Sequence, residues 1–184
     1  MTDDMPQQSS IAELQLAVEE LKKALRDTVF ESGRQKSAIL GAPRKDYKWP
    51  DLFVLMPFSA QLEPVYKDHI QVVAQRAELT VDRADNFFSS GAIMGDVWSA
   101  INAAKVIVAD CTGRNPNVMY EIGLAHAIGR HTILISQSID DVPFDLRHLR
   151  VIVYDYTPRG MREFEMKLAE TIDRSTQLST NASA

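Results

Sequence analysis

The chain has 184 residues, is 45% hydrophobic and carries a formal net charge of −5. That length supports one full hydrophobic core, and the acidic balance excludes a protein that coats nucleic acid polymers, because such proteins present counterion-releasing basic surfaces. A single cysteine, Cys111, excludes an internal disulfide framework, and no Cys/His spacing makes a metal site, which fits a reducing cytoplasm. The acidic start from Met1 to Pro6 is unlike a signal peptide, and no apolar run is long enough to span a membrane.

Residues 1–9 and 175–184 are polar and small and read as disordered ends. Ser10 and Glu13 make a capping box, and Ile11, Leu14, Val18, Leu21 and Leu25 recur at helical spacing, which predicts an amphipathic helix over 10–31. Its narrow seam suits an arm that pairs with a second subunit in a homo-oligomer, or a helix packed on its own domain. A polar, basic linker covers 32–50. From 51 to 174 the pattern alternates within one α/β domain. Strands are predicted at 52–56, 79–83, 105–109, 132–136 and 151–154. Helices are predicted near 62–77, 93–103 and 161–172, with one more between the third and fourth strands.

Strands alternating with helices imply a parallel sheet covered on both faces, and five of them most often take the flavodoxin-like order 2-1-3-4-5. Ligands of such folds bind at the carboxyl ends of the strands where the winding reverses, between the first and third strands. The loops there are Pro57-Phe58-Ser59 and the stretch from Asp110 to Asn117. The helix after the second loop starts either with Asn115 as N-cap and Pro116 at its first position or with Asn117 as cap; Gly129 and Arg130 mark its end. Turned at about 100° per residue, it gathers Val118, Ile122, Ala125, Leu124 and Ile128 in one arc. Glu121 falls inside that arc. A carboxylate there must be paired, neutralised or used, since an uncompensated buried charge costs several kcal/mol. The plain alternative is a Glu complementing the helix dipole from the rim of the core.

Several chemistries are excluded at this cleft. A phosphoacceptor aspartate at the end of the third strand needs cation-holding acids after the first strand, where Met56, Pro57 and Phe58 stand. No glycine-rich dinucleotide or phosphate loop and no serine-hydrolase elbow follows a strand. What remains is a carboxylate among amide side chains and backbone donors, which suits cleavage of a glycosidic bond. Asp110 is either a ligand-facing acid or a loop cap, and Phe58 either stacks on a base or caps the core. His126 lies off the apolar arc and reads as a surface histidine; His69, His131 and His148 have no partner spacing.

The segment from Asp110 through Glu121-Ile122-Gly123-Leu124-Ala125 to Ala127, with the strand after it, resembles the nucleoside 2-deoxyribosyltransferase superfamily. Phe53 to Phe58, Arg83 to Asp85 and Val142 to Asp145 extend the resemblance over most of the α/β domain. It implies that Glu121 is the nucleophile, that no metal or cofactor is required, and that the partner is a small molecule: a nucleoside, a nucleotide or NAD. Phe58, Ser59, Asp96, Asp110, Arg114, Asn115 and Asn117 are then the substrate-binding candidates. Asn115 stands where the deoxynucleoside transferases carry a sugar-binding Asp, and Asp96 lies one residue off the position of another. The Asn115-to-Glu121 variant also resembles Toll/interleukin-receptor-like domains that split NAD, and a third reading is a nucleotide-binding module without turnover. With a neutral Asn115 beside Arg114 and a helix N-terminus, phosphorylated substrates are expected to be preferred.

Overall fold

The computed structural model describes residues 17, 18, 20–22, 39–86 and 93–181. The chain divides into two units, Met1–Lys36 and Ser37–Ala184. In the first, the described residues are helical, and Val18 and Leu21 are exposed. The capping box of Ser10 and Glu13, the seam positions Ile11, Leu14 and Leu25, and residues 1–9 lie outside the described residues.

The second unit is built on β1 (Leu52–Leu55), β2 (Val81–Arg83), β3 (Val106–Asp110), β4 (Thr132–Ser136) and β5 (Val151–Val153), all parallel in the order β2-β1-β3-β4-β5. Every residue of β1, β3 and β4 is buried, as expected of strands covered on both faces. Successive side chains point to opposite faces, so the sheet feeds two cores. Leu52, Val54, Val106, Val108, Ile133 and Ile135 join one; Phe53, Leu55, Ile107, Ala109 and Leu134 join the other. The first core is covered by α1 (Gln71–Arg76), which continues a π-helical segment (Val65–Ile70), and by α4 (Pro158–Asn181). The second is covered by α2 (Ile93–Ala103) and α3 (Pro116–Ala127). No described helix is long and apolar enough to cross a membrane.

Several boundaries differ from the sequence reading by one to three residues at strand and helix ends, and three differences have a physical cause in the structure. β2 begins at Val81, because Leu79 N–H still donates to the Ala74 carbonyl (3.0 Å) and Glu78 takes a left-handed conformation (φ 56°) that closes the preceding helix. α4 runs to Asn181, past the apolar spacing and into the stretch read as a disordered tail; Ser175 and Thr176 bond back to the carbonyls of Thr171 (2.8 Å) and Ile172 (3.2 Å). Residues read as linker are fastened to α2 from Gly41 onward. Trp98 Nε1 donates to the Gly41 carbonyl (3.1 Å), Arg44 N–H to Ser99 Oγ (2.9 Å), and Trp49 packs on the second core.

Candidate active site

The register sets Leu55 of β1 against Ala109 of β3, so Met56 follows β1 where Asp110, the last residue of β3, pairs with Ile135 of β4. Asp110 is wholly buried. Its Oδ2 accepts from the Tyr154 hydroxyl (2.7 Å) and its Oδ1 from the Thr112 N–H (2.9 Å), which is the loop-capping arrangement. Burial raises its pKa above the usual carboxylate range, and the bonds from Thr112 and Tyr154 act against that rise. Burial, with Asp110 alongside, also raises the Tyr154 phenol. Next to it Cys111 is a buried thiol pushed up to about 12 by burial, which suits packing and not nucleophilic attack.

The loop then bends sharply. Gly113 (φ 73°) and Arg114 (φ 54°) are both left-handed, a conformation that a non-glycine residue holds only where its neighbours over-determine it. Here they do. Gly113 N–H donates to Asp141 Oδ2 (2.9 Å), Arg114 Nε lies 3.8 Å from Asp141 Oδ1, and an Arg114 Nη donates to the Asp140 carbonyl. The anion-seeking face of this turn therefore holds the Asp141 carboxylate, and a phosphate arriving there would have to displace it.

Asn115 is the N-cap of α3: its Oδ1 accepts from the N–H groups of Asn117 (2.9 Å) and Val118 (3.3 Å), with Pro116 at the first position. Its Nδ2 has no partner among the described residues. Asn117 is exposed in the first turn.

Val118, Ile122 and Ala125 are buried against the sheet, and Glu121 stands on the flank of that face, half-buried. Which flank it occupies follows from His126, which lines a cavity together with Leu146 and Leu149 beside the β5 end of the sheet. At about 100° per residue Glu121 lies about 140° around the helix from His126, on the other flank of the buried face. Glu121 has no hydrogen bond or ion pair with any described residue, and burial pushes its carboxyl up to about 7. It is therefore ionised in part at neutral pH and poorly solvated when charged.

The other candidates are placed as follows. Phe58 is 64% exposed, so it does not cap the core; the Arg83 guanidinium lies 5.6 Å from its ring centroid. Ser59 is partly buried and its Oγ accepts from Leu62 N–H (3.3 Å) at the entry to the π-helical segment. Asp96 is buried on α2 and paired with Arg44 (2.9 Å), a residue the sequence placed in a linker. Arg83 was not among the candidates. It is buried at the carboxyl end of β2, donates to Glu63 (2.7 Å) and lies over the Tyr66 ring (4.6 Å), beside Phe58. The one signal for it in the sequence is a cation at the end of a strand, on the alternation that also turns Leu79 and Val81 to one face. Among the described residues, no group of three or more His, Cys, Asp or Glu is placed to hold a metal ion.

No protein-family model matches the chain, and no curated protein matches it. Among solved structures the chain is similar to a 2-desoxiribosyltransferase from Leishmania mexicana, at 16% identity and a TM-score of 0.41, over 47% of this chain and 64% of that one. The match thus spans less than two thirds of that protein, and a likeness at this level concerns the fold and not the side chains of the site.

Proposed function

We propose that the protein cleaves or transfers the N-glycosidic bond of a nucleoside or nucleotide, with Glu121 as nucleophile. The supporting observation is the state of Glu121: a half-buried carboxylate without a partner among the described residues, on the flank of α3 opposite His126, in the helix that follows the loop at the reversal of winding. A desolvated carboxylate gains most when positive charge develops beside it, which is what the anomeric carbon of an oxocarbenium-like transition state supplies. In the forward step a Glu121 oxygen bonds to the anomeric carbon while the C–N bond breaks and the base leaves with the electron pair. Water or a second base then attacks the same carbon and releases the carboxylate. The choice of an N-glycoside rests on the resemblance of Asp110 to Ala127 described above. The amide of Asn115, with its Nδ2 available, is assigned to the sugar hydroxyls, and the exposed ring of Phe58 to the base.

The test is to incubate the protein with nucleosides, nucleotides and NAD, separate the released bases by chromatography, and map acid-quenched protein by peptide mass spectrometry. The proposal expects free base and a pentosyl adduct on the peptide containing Glu121. Nicotinamide from NAD alone would point to the NAD-cleaving alternative, and saturable binding without product would make the protein a binding module. An adduct on Asp96, Asp110 or any other carboxylate would overturn the assignment.

A further inference from the structure

At the opposite end of the sheet, among the amino ends of β4 and β5 and the last turns of α3 and α4, lies a cavity of about 540 Å³. It is lined by His126, Arg130, His131, His148, Arg150 and Arg174, and among the described residues no Asp or Glu lines it. This concentration of cationic and titratable groups occurs in a chain whose net charge is −5. We infer that this cavity binds a small phosphate-bearing ligand with an apolar body, independently of the Glu121 site.

Helix geometry accounts for some of these cations. His126 and Arg130 sit at the end of α3, where positive charge complements the carbonyl ends, Arg130 donates to the Asn102 carbonyl, and Arg174 pairs with Glu170. It does not account for His131, His148 and Arg150, which lie outside the helices and have no hydrogen bond or ion pair among the described residues. His126, His131 and His148 border the same cavity, and burial, with His131 and His148 adding to it, lowers the His126 pKa. Three guanidiniums, of Arg130, Arg150 and Arg174, border the same cavity. Their planar donor forks match the oxygens of a phosphate dianion, and the rings add further donors. Leu146 and Leu149 supply an apolar wall for the rest of the ligand. The volume falls within the range of small-molecule sites, about 300–1,000 Å³.

Phenyl phosphate is the probe, because it has a dianionic phosphate and an apolar ring but no glycosidic bond for the Glu121 site to cleave. Titrating it into the full-length protein at neutral pH, with calorimetry and histidine-ring NMR as readouts, should move the resonances of His126, His131 and His148 saturably. His69, which is bound to Glu165 (2.7 Å) elsewhere in the fold, serves as the internal control. Arg150→Ala, an exposed substitution, should weaken binding about tenfold, and phenol should bind at least about tenfold more weakly than phenyl phosphate. Absence of saturable shifts at the three rings, equal affinity in Arg150→Ala, or phenol binding as tightly as phenyl phosphate would each overturn the inference.

Discussion

Glu121 carries a cost in the folded state that depends on pH. Its folded pKa, about 7, lies above the ordinary glutamate value, so the native protein binds its proton more tightly than the unfolded chain does. Stability from this residue is greatest at low pH, where both states are protonated, and falls as pH rises from the ordinary value to about 7. Glu121→Gln should therefore match the parent near pH 4 and exceed it at pH 8. The expected gain is about 1–2 kcal/mol, reduced from the full linkage value because the side chain keeps some contact with water. Urea unfolding at the two pH values measures it; a variant no more stable at pH 8 would mean that the carboxylate is well solvated or paired. The apolar arc on α3 made Glu121 legible from spacing alone. Asp110 was legible only as a choice between two roles, because its partner Tyr154 lies on the far side of β4 and no local pattern links them. The same holds for Asp96, whose partner Arg44 is 52 residues away.

At the scale of elements, the two helical segments over the first core are joined, besides their apolar packing, by the Glu165 carboxylate. Glu165 on α4 accepts from Arg76 on α1 (3.0 Å) and shares a proton contact with His69 Nδ1 on the π-helical segment (2.7 Å). The His69 bond, with Arg76 adding to it, holds Glu165 below the usual carboxylate range. A depressed folded pKa gives stability that is present above the unfolded value and is lost as pH falls through the folded one. Glu165→Gln should lower stability by about 1–2 kcal/mol at pH 7, with the difference shrinking in acid, as urea titrations at pH 7 and pH 3 would record. An equal deficit at both pH values would assign the loss to packing. Most elements were readable because buried parallel strands are continuous apolar runs and the covering helices keep an apolar stripe. The start of β2 was misplaced because backbone geometry at Glu78 and Leu79 closes the preceding helix, and two other boundaries lie where polar side chains replace apolar spacing as the local anchor. Ser175 and Thr176 carry α4 onward by bonding to their own helix, and the basic stretch around Arg44 docks through Ser99 and Asp96, which composition alone cannot reveal.

For the whole molecule, the winding order reverses between β1 and β3, where the Glu121 site is proposed, and the arginine- and histidine-lined cavity lies at the amino ends of β4 and β5. The first, as a point of reversal, was legible because strand alternation implies one. The second was not, since His126, His131 and His148 come together only when the ends of α3, β4 and β5 meet. The amphipathic pattern of 10–31 adds a proposal of self-association: deleting residues 1–30 should lower the number of subunits per particle seen by light scattering, and an unchanged number would leave the helix as a local element. The central claim, that Glu121 is the nucleophile of an N-glycoside-cleaving site, is tested most directly by base release from one substrate, with the parent and Glu121→Gln at equal concentration. The parent should release base at a rate that rises with pH through about 7, while the Gln variant, folded and no less stable, releases none above the uncatalysed background. Undiminished release by the folded Gln variant would contradict the account.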